Sequence, residues 1–239
     1  MINKALILAA GFATRLYPLT LNKSKSLLEI RGKRIIDYII EKIEEIKDID
    51  EIIIITNNNF YPDFINWKKD RKILTILNDG VSELKEKLGA IGDLLFAINE
   101  KKIDDDFFLI SGDNLFDYSL KEPHELFKKE GKDLSLFYDV KNFEEAKRFG
   151  VVLIKGNIII DFEEKPQNPK STLCSSSTYF FKKSSIPLIK EFAGKGVADQ
   201  PGLFLQYLYK EVPIYAYIAS GKWLDVGTKE SFERAQKEF

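Results

Sequence analysis

Short apolar runs alternate with amphipathic segments through the first half of the chain. Residues 5–10, 51–56 and 107–110 are almost wholly apolar, which is typical of strands buried on both faces. Isoleucines at helical spacing over residues 35–46 predict an amphipathic helix between the first two of these strands. Another short strand is predicted over residues 73–77. This alternation predicts an α/β fold with right-handed crossovers between parallel strands.

Strand patterns in the second half come in pairs that tight turns separate. Apolar residues over 151–154 and 158–162 flank Lys155-Gly156-Asn157 and predict a hairpin. Thr228 is a suitable N-cap for a closing helix. The remaining predicted strands cover residues 134–140, 178–181, 214–218 and 223–226, with helices at 185–192 and about 202–209. We therefore expect one Rossmann-like domain over residues 1–239, with a mixed, mostly parallel sheet flanked by helices and a small antiparallel portion.

Composition excludes several classes of function. The chain has 36 Lys and Arg against 37 Asp and Glu, so no basic field favours nucleic acid. No apolar run approaches the roughly 20 residues that cross a bilayer, and we expect no membrane segment. A single Cys and a single His leave no disulfide framework and no His- or Cys-based relay. We expect a cytoplasmic protein, with Cys174 a small filler and His124 on the surface of a helix.

The segment after the first strand combines small residues with two cations. Gly11 can adopt backbone angles that let a ligand approach the main chain closely. Successive backbone N–H groups in such a loop bind anions, and Arg15 and Lys25 add two positive charges. The combination favours binding of a polyphosphate, although it is neither a Walker loop nor a G-x-G-x-x-G turn. A loop that binds no phosphate stays open as the alternative.

Two aspartates, Asp113 and Asp225, each follow an apolar strand. An aspartate in such a place is often only a turn former. Two of them at one sheet edge could instead hold Mg²⁺, which takes one or two carboxylates together with phosphate oxygens and water. Lys165 lies in a Glu-Glu-Lys-Pro turn, which is either a solvated charged loop or part of a binding site.

Taken together, these segments resemble the sugar-phosphate nucleotidyltransferases, and among them the glucose-1-phosphate thymidylyl- and uridylyltransferases. LAAGFATRLYPLT at 8–20, followed by Lys25, is similar to the opening signature of that family, with Ala13 in place of a frequent Gly. SGDN at 111–114 and WLDVGT at 223–228 resemble its two metal-binding aspartate motifs. EEKP at 163–166 and FGV at 149–151 resemble its acceptor-binding elements, and GAIG at 89–92 resembles the turn that packs against the base.

The resemblance implies Mg²⁺-dependent transfer of a nucleotidyl group from a nucleoside triphosphate to a sugar 1-phosphate, giving a nucleotide-sugar and pyrophosphate. It implies a nucleotide-binding half up to about residue 130 and an acceptor-binding half from about residue 131. Asp199 is a further candidate on the acceptor side. The residues implied are Arg15, Lys25, Asp113 and Lys165 for catalysis, Leu8, Ala10, Gly11, Thr14, Arg15, Lys25 and Gly89 for the nucleotide, Gly150, Glu164 and Lys165 for the acceptor, and Asp113 and Asp225 for the metal.

Two other functions stay open. One is a CTP-dependent cytidylyltransferase that acts on a phosphocholine-like acceptor, and the other is a non-catalytic regulator that binds nucleotide or sugar. The EEKP and GDN elements favour glucose 1-phosphate with UTP or dTTP, whereas the G-x-x-G turn also suits guanylyl- or cytidylyltransferases. Because the chain ends soon after WLDVGT, we expect no acetyl-transferring β-helix domain. A homo-oligomer is compatible with the sequence.

Overall fold

The computed structural model describes residues 2–196 and 200–239, so the candidate Asp199 lies outside the described residues. The strands are β1 (Lys4–Leu8), β2 (Glu29–Ile30), β3 (Lys33–Arg34), β4 (Glu51–Thr56), β5 (Leu74–Asn78), β6 (Phe107–Ser111), β7 (Asn114–Phe116), β8 (Leu134–Asp139), β9 (Gly150–Lys155), β10 (Ile158–Glu164), β11 (Leu173–Phe181), β12 (Tyr215–Ala219) and β13 (Trp223–Asp225). The helices are α1 (Ile35–Ile43), α2 (Tyr61–Lys68), α3 (Ala90–Glu100), α4 (Lys121–Glu130), α5 (Phe143–Ala146), α6 (Ile186–Gly194), α7 (Pro201–Glu211) and α8 (Lys229–Glu238).

Nine of these strands form one mixed sheet, in the order β5-β4-β1-β6-β11-β8-β12-β10-β9. The strands from β5 to β6 run parallel to one another, and so do β8 and β12. β11 runs antiparallel to β6 and β8, and β9 with β10 forms the predicted hairpin. This arrangement confirms the mixed α/β fold. Because the parallel strands β5, β4, β1 and β6 end at the same edge, the loops that follow them meet there.

Alternate side chains of the parallel strands enter cores on opposite faces of the sheet. Ile52 and Ile54 of β4 belong to the core that also contains residues of α1, α2 and α8, whereas Ile53 and Ile55 belong to the core that contains residues of α3, α6 and α7. All four side chains are fully buried. A strand with an apolar core on each face of the sheet has no face for polar side chains, which explains the unbroken run of isoleucines in EIIIIT. No helix in the described part of the chain has the length and apolar character needed to cross a bilayer.

The structure differs from the predicted elements at several places. The predicted helix over 35–46 ends at Ile43, and β11 begins at Leu173 rather than at 178. The extra residues of β11 include the buried Ser176. Its hydroxyl is satisfied inside the protein because it donates to the Leu136 carbonyl at 3.1 Å. The prediction that His124 lies on a helix surface was wrong: the residue is in α4 but buried, with its ring 6.0 Å from that of Phe180.

Candidate active site

A cleft of about 450 Å³ opens where the loops after the parallel strands meet the hairpin of the second half. Apart from Asp199, its lining brings together every residue that the sequence nominated for catalysis, nucleotide, acceptor or metal. These residues are Leu8, Ala10, Gly11, Thr14, Arg15, Lys25, Gly89, Asp113, Gly150, Glu164, Lys165 and Asp225. Residues separated along the whole chain therefore line one continuous space.

Hydrogen bonds from outside the loop after β1 hold its backbone in place. The buried Asn57 side chain donates to the Ala10 carbonyl at 2.8 Å, and the Thr20 hydroxyl donates to the Ala13 carbonyl at 2.8 Å. Ala13 adopts left-handed backbone angles, with φ 49° and ψ 43°. Glycine takes that conformation without steric cost, which explains why a glycine suits the position of Ala13. The loop is therefore a fixed feature before any ligand arrives.

Lys25 and Asp113 form an ion pair inside the cleft. Lys25 Nζ lies 2.5 Å from Asp113 Oδ2, and the two side chains are 16% and 26% exposed. Gly112, next to Asp113, donates its N–H to the Leu8 carbonyl at 2.8 Å. A Cβ atom at Gly112 would lie 2.7 Å from Ser26 Oγ and 2.9 Å from the Leu8 carbonyl oxygen, so only glycine fits. The SGDN turn is thus packed directly against β1.

A separate two-stranded sheet of β7 and β13 brings the two aspartate motifs side by side. Asp225 pairs in register with Asn114, and the Val226 N–H donates to the Asp113 carbonyl at 3.0 Å. Trp223 Nε1 donates to Asn114 Oδ1 at 3.1 Å, which ties the two motifs through their side chains as well. The predicted strand at 223–226 is therefore present, but it lies outside the large sheet.

Asp225 is a buried carboxylate in a mixed electrostatic field. Burial raises its pKa, the charge of Asp113 raises it further, and Lys25, Arg15 and Arg148 oppose both effects. Its Oδ1 atom is buried and has no hydrogen-bond partner within residues 2–196 and 200–239. An ionised oxygen in that position is costly unless a cation approaches it.

These carboxylates fit a magnesium ion. Both offer oxygen ligands, and Asp225 Oδ1 has a lone pair that no described donor uses. No group of three or more His, Cys, Asp or Glu side chains converges anywhere in the described chain, so this site offers two carboxylates. Mg²⁺ is commonly bound through one or two carboxylates, with phosphate oxygens and water as its other ligands. The pair Asp113 and Asp225 matches that pattern.

Arg15 lies against the second aspartate motif. A Cβ atom at Gly227 would lie 3.3 Å from Arg15 Nη2 and 3.2 Å from Asp225 Oδ2. The absence of a side chain at Gly227 therefore lets the guanidinium and the carboxylate approach each other. Gly227 was not nominated from the sequence, although it lies within the WLDVGT motif.

At the end of the cleft that β9, β10 and α7 line, glycines lie close to Glu164. A Cβ atom at Gly150 would lie 2.7 Å from Glu164 Oε2, and one at Gly202 would lie 1.8 Å from the same atom. Burial raises the pKa of Glu164, and the positive charge of Lys165 opposes the increase. Lys165 Nζ lies 3.6 Å from Glu164 Oε1 and donates to Gln200 Oε1 at 2.9 Å. The sequence nominated neither Gly202 nor Gln200.

A carboxyl pair that the sequence did not nominate lines the other end of the cleft. Asp79 follows β5, and its Oδ1 accepts the Val81 N–H at 2.8 Å. Asp93, in the first turn of α3, is 7% exposed and hydrogen-bonded to the Asp79 side chain. Burial and the charge of Asp79 raise the pKa of Asp93 to about 8. Asp93 is therefore mostly protonated at neutral pH, and its carboxyl group hydrogen-bonds to the Asp79 side chain.

Because Asp93 is protonated in the folded protein, we expect its contribution to the free energy of unfolding to depend on pH. The substitution Asp93→Asn should remove this dependence. Between about pH 4 and 8 the folded protein binds the Asp93 proton and the unfolded protein does not. This component of the free energy of unfolding therefore falls as pH rises, by at most about 1.4 kcal/mol per pH unit. Urea unfolding should measure the free energy of unfolding of both proteins. The value for Asp93→Asn minus the value for wild type should increase as the pH rises.

The matched control is Asp70→Asn, at an exposed aspartate after α2. Its stability difference from wild type should be independent of pH, because the Asp70 side chain is exposed to solvent. Curves for Asp93→Asn that run parallel to wild type from about pH 5 to 8 would contradict the assignment of the proton.

A sequence model described as Nucleotidyl transferase matches residues 4–239. Since the match covers nearly the whole chain, the chain belongs to the Nucleotidyl transferase family, as its motifs indicated. Among curated relatives, the bifunctional protein GlmU of Methanocaldococcus jannaschii is 32% identical over 238 residues, 98% of this chain and 53% of that protein. Mannose-1-phosphate guanylyltransferase 1 of Arabidopsis thaliana is 29% identical over 243 residues, 96% of this chain and 62% of that protein.

A solved structure has the same fold over nearly its full length. It is a protein described as a glucose-1-phosphate thymidylyltransferase from Bacillus anthracis, solved in complex with sucrose. The TM-score is 0.85 at 26% identity, and the similarity covers 98% of this chain and 94% of that one. The chain spans 53% and 62% of the lengths of the two curated relatives, so their whole activities do not transfer to it directly.

Proposed function

We propose that the chain transfers a nucleotidyl group from a nucleoside triphosphate to a sugar 1-phosphate and releases pyrophosphate. The observation that carries the proposal is one cleft that Arg15, Lys25 and Lys165 line together with Asp113 and Asp225. Both substrates are polyanions, so a site that joins them needs positive charge on both sides of the reacting phosphorus. Membership of the family and the relatives' names support the same reaction.

The proposed step is a substitution at the α-phosphorus. An oxygen of the acceptor phosphate forms the new P–O bond while the bond to the bridging β-phosphate oxygen breaks, and pyrophosphate leaves with that electron pair. A phosphate monoester has a second pKa near ~6 and is largely dianionic at pH 7, so it needs no general base. The site is then required only to position the groups and neutralise their charge.

Each cation has a distinct place in this reaction. Arg15 and the loop at 11–14 hold the triphosphate and the departing pyrophosphate, and Lys25 neutralises charge at the α-phosphate. Lys165 orients the acceptor phosphate, while Glu164 binds sugar hydroxyls beside Gly150. Asp113 and Asp225 would hold Mg²⁺, which when bound supplies charge neutralisation and polarisation of the phosphate oxygens.

The same proposal divides the chain into a nucleotide-binding half up to about residue 130 and an acceptor-binding half from about residue 131. A cytoplasmic location belongs to it as well, because the buried Cys174 is free and the substrates are phosphorylated intermediates. A homo-oligomer would leave this division unchanged, since the cleft residues are all supplied by one chain.

The test is pyrophosphate release with Mg²⁺ from a matrix of five nucleotides and four acceptors. The nucleotides are ATP, GTP, CTP, UTP and dTTP; the acceptors are glucose 1-phosphate, mannose 1-phosphate, N-acetylglucosamine 1-phosphate and phosphocholine. We expect release with at least one sugar 1-phosphate. Release with phosphocholine and CTP alone would replace the proposal by a cytidylyltransferase of another acceptor class. Nucleotide binding without release from any pair would favour a regulator.

A further inference from the structure

We call the loop after β1, at residues 11–14, the phosphate loop. The carboxyl pair of Asp79 and Asp93 lies on one side of this loop, and the proposed acceptor residues lie on the other. β5 is at one edge of the nine-stranded sheet, β1 and β6 lie inside it, and β10 is next to the other edge. Asp79 follows β5, the phosphate loop follows β1, and Glu164 ends β10. A nucleotide whose phosphates lie in the loop therefore places its base toward β5, away from the acceptor.

The wall of the cleft around this pair is suited to a flat heteroaromatic ring. Val81, Leu84 and Leu88 line it, and the two leucines are 50% and 38% exposed. Apolar side chains of this kind cover the faces of a ring, while a few polar groups contact its edge. The charged side chains that line this end of the cleft are Lys87 and the two carboxyls of Asp79 and Asp93, and the carboxyls are the acceptors among them.

The pair offers acceptors at that edge. The Val81 N–H donates to Asp79 Oδ1, and Asp93 is the more deeply buried of the two carboxyls, so the proton shared by the pair is assigned to Asp93 and Asp79 accepts. The other oxygen of Asp93, Oδ1, is buried and meets no donor among the described residues. Asp93 is held by α3, where its N–H donates to the Gly89 carbonyl at 2.8 Å, so the position of the pair is fixed by the helix.

We propose that Asp79, positioned by Asp93, makes this cleft selective for guanine nucleotides. Guanine presents two neighbouring donors, N1–H and the N2 amino group, to which a carboxylate can bind with both oxygens. Uracil and thymine present a single N3–H between two carbonyl oxygens, which a carboxylate repels. Adenine and cytosine present an amino group beside an unprotonated ring nitrogen, so they too offer only one donor. Asp79 is then a specificity-determining residue and Asp93 a positioning residue.

The inference rests on the proposed function, and it is tested by binding alone so that the two can fail separately. Calorimetric titration with GTP, UTP, dTTP, CTP and ATP, each with Mg²⁺ and without acceptor, gives a Kd for every base. A two-bond contact to a base edge gives roughly tenfold discrimination or more. We expect GTP to bind wild type at least about tenfold more tightly than UTP or dTTP.

Variants separate the roles of the two aspartates. Asp79→Asn replaces an acceptor-only group by an amide that accepts from N3–H and donates to O4, so the GTP preference should fall about tenfold or more and UTP binding should improve. Asp93→Asn still donates to Asp79 and should keep the GTP preference, whereas Asp93→Ala cannot donate and should lose it. Asp70→Asn, far from the cleft, should leave every Kd unchanged.

Three results would overturn the inference. The first is that wild type binds UTP or dTTP as tightly as GTP. The second is that Asp79→Asn leaves the ratios of the Kd values for the different nucleotides unchanged. The third is that Asp93→Ala keeps the same preference for GTP as Asp93→Asn. The Kd values of wild type for the five nucleotides are enough to test the inference, so it stays testable if Asp79→Asn does not fold. Binding of nucleotides without guanine preference rejects only the inference, whereas binding of no nucleotide at all rejects the proposed function with it.

Discussion

Replacement of Asp113 by asparagine is expected to lower the rate of pyrophosphate release by roughly 1,000-fold while the protein stays folded. The negative charge of the carboxylate neutralises Lys25, whose Nζ lies 2.5 Å away, and makes Asp113 one of two candidate magnesium ligands; a neutral amide supplies no charge for either task. Steady-state release with saturating nucleotide and acceptor measures the effect. A titration with Mg²⁺ should also show that the variant needs more metal for half-maximal rate.

The stability of the Asp113→Asn protein should change little. Asp113 and Lys25 are partly exposed, and an ion pair of that kind contributes on the order of 1 kcal/mol or less. The matched control is Glu41→Gln, which breaks the exposed ion pair of Lys33 and Glu41 far from the cleft. That variant should retain full turnover. An Asp113→Asn enzyme with wild-type turnover would show that Asp113 is not needed for the reaction.

The fold was predictable wherever the sequence showed its periodicity. The isoleucines of β4 are unbroken because alternate side chains enter different cores, and the isoleucines of α1 recur at helical spacing because one core takes them. The predicted β11 was too short because its serines are polar and do not continue an apolar run. Ser176 and Thr178 are nevertheless buried, and their hydroxyls donate hydrogen bonds to backbone carbonyls. Burial of that kind depends on partners that only the assembled sheet supplies.

The site was predictable as far as its motifs extend. Asp113 and Asp225 were found as carboxylates after strands, and the structure brings them together through β7 and β13. Asp93 was missed because it looks like one more polar residue at the start of a helix. Its signal was present: it lies four residues before Ala97, on the buried face of α3. That it pairs with Asp79 could not be predicted, since the contact depends on how α3 packs against β1 and β4.

Gly202 marks a second place where contacts between distant residues shape the cleft, and Gly202→Ala should weaken acceptor binding. The new Cβ atom would lie 1.8 Å from Glu164 Oε2 and 2.6 Å from its Cδ, so the carboxyl group must move. Because we propose that Glu164 binds the sugar, the KM for the sugar 1-phosphate should rise roughly tenfold to a hundredfold, the loss expected for one hydrogen bond to a charged group. The Kd of the nucleotide should be unchanged.

A double-mutant cycle shows whether the effect of Gly202→Ala acts through Glu164. If it does, Gly202→Ala should add no further increase in KM once Glu164 is already alanine, because the side chain that the new methyl group displaces is gone. Gly194→Ala, at a glycine of α6 whose Cβ would meet no atom within 4 Å, is the control and should keep the wild-type KM. Additive effects at positions 202 and 164 would mean that Gly202 contributes to the acceptor site independently of Glu164.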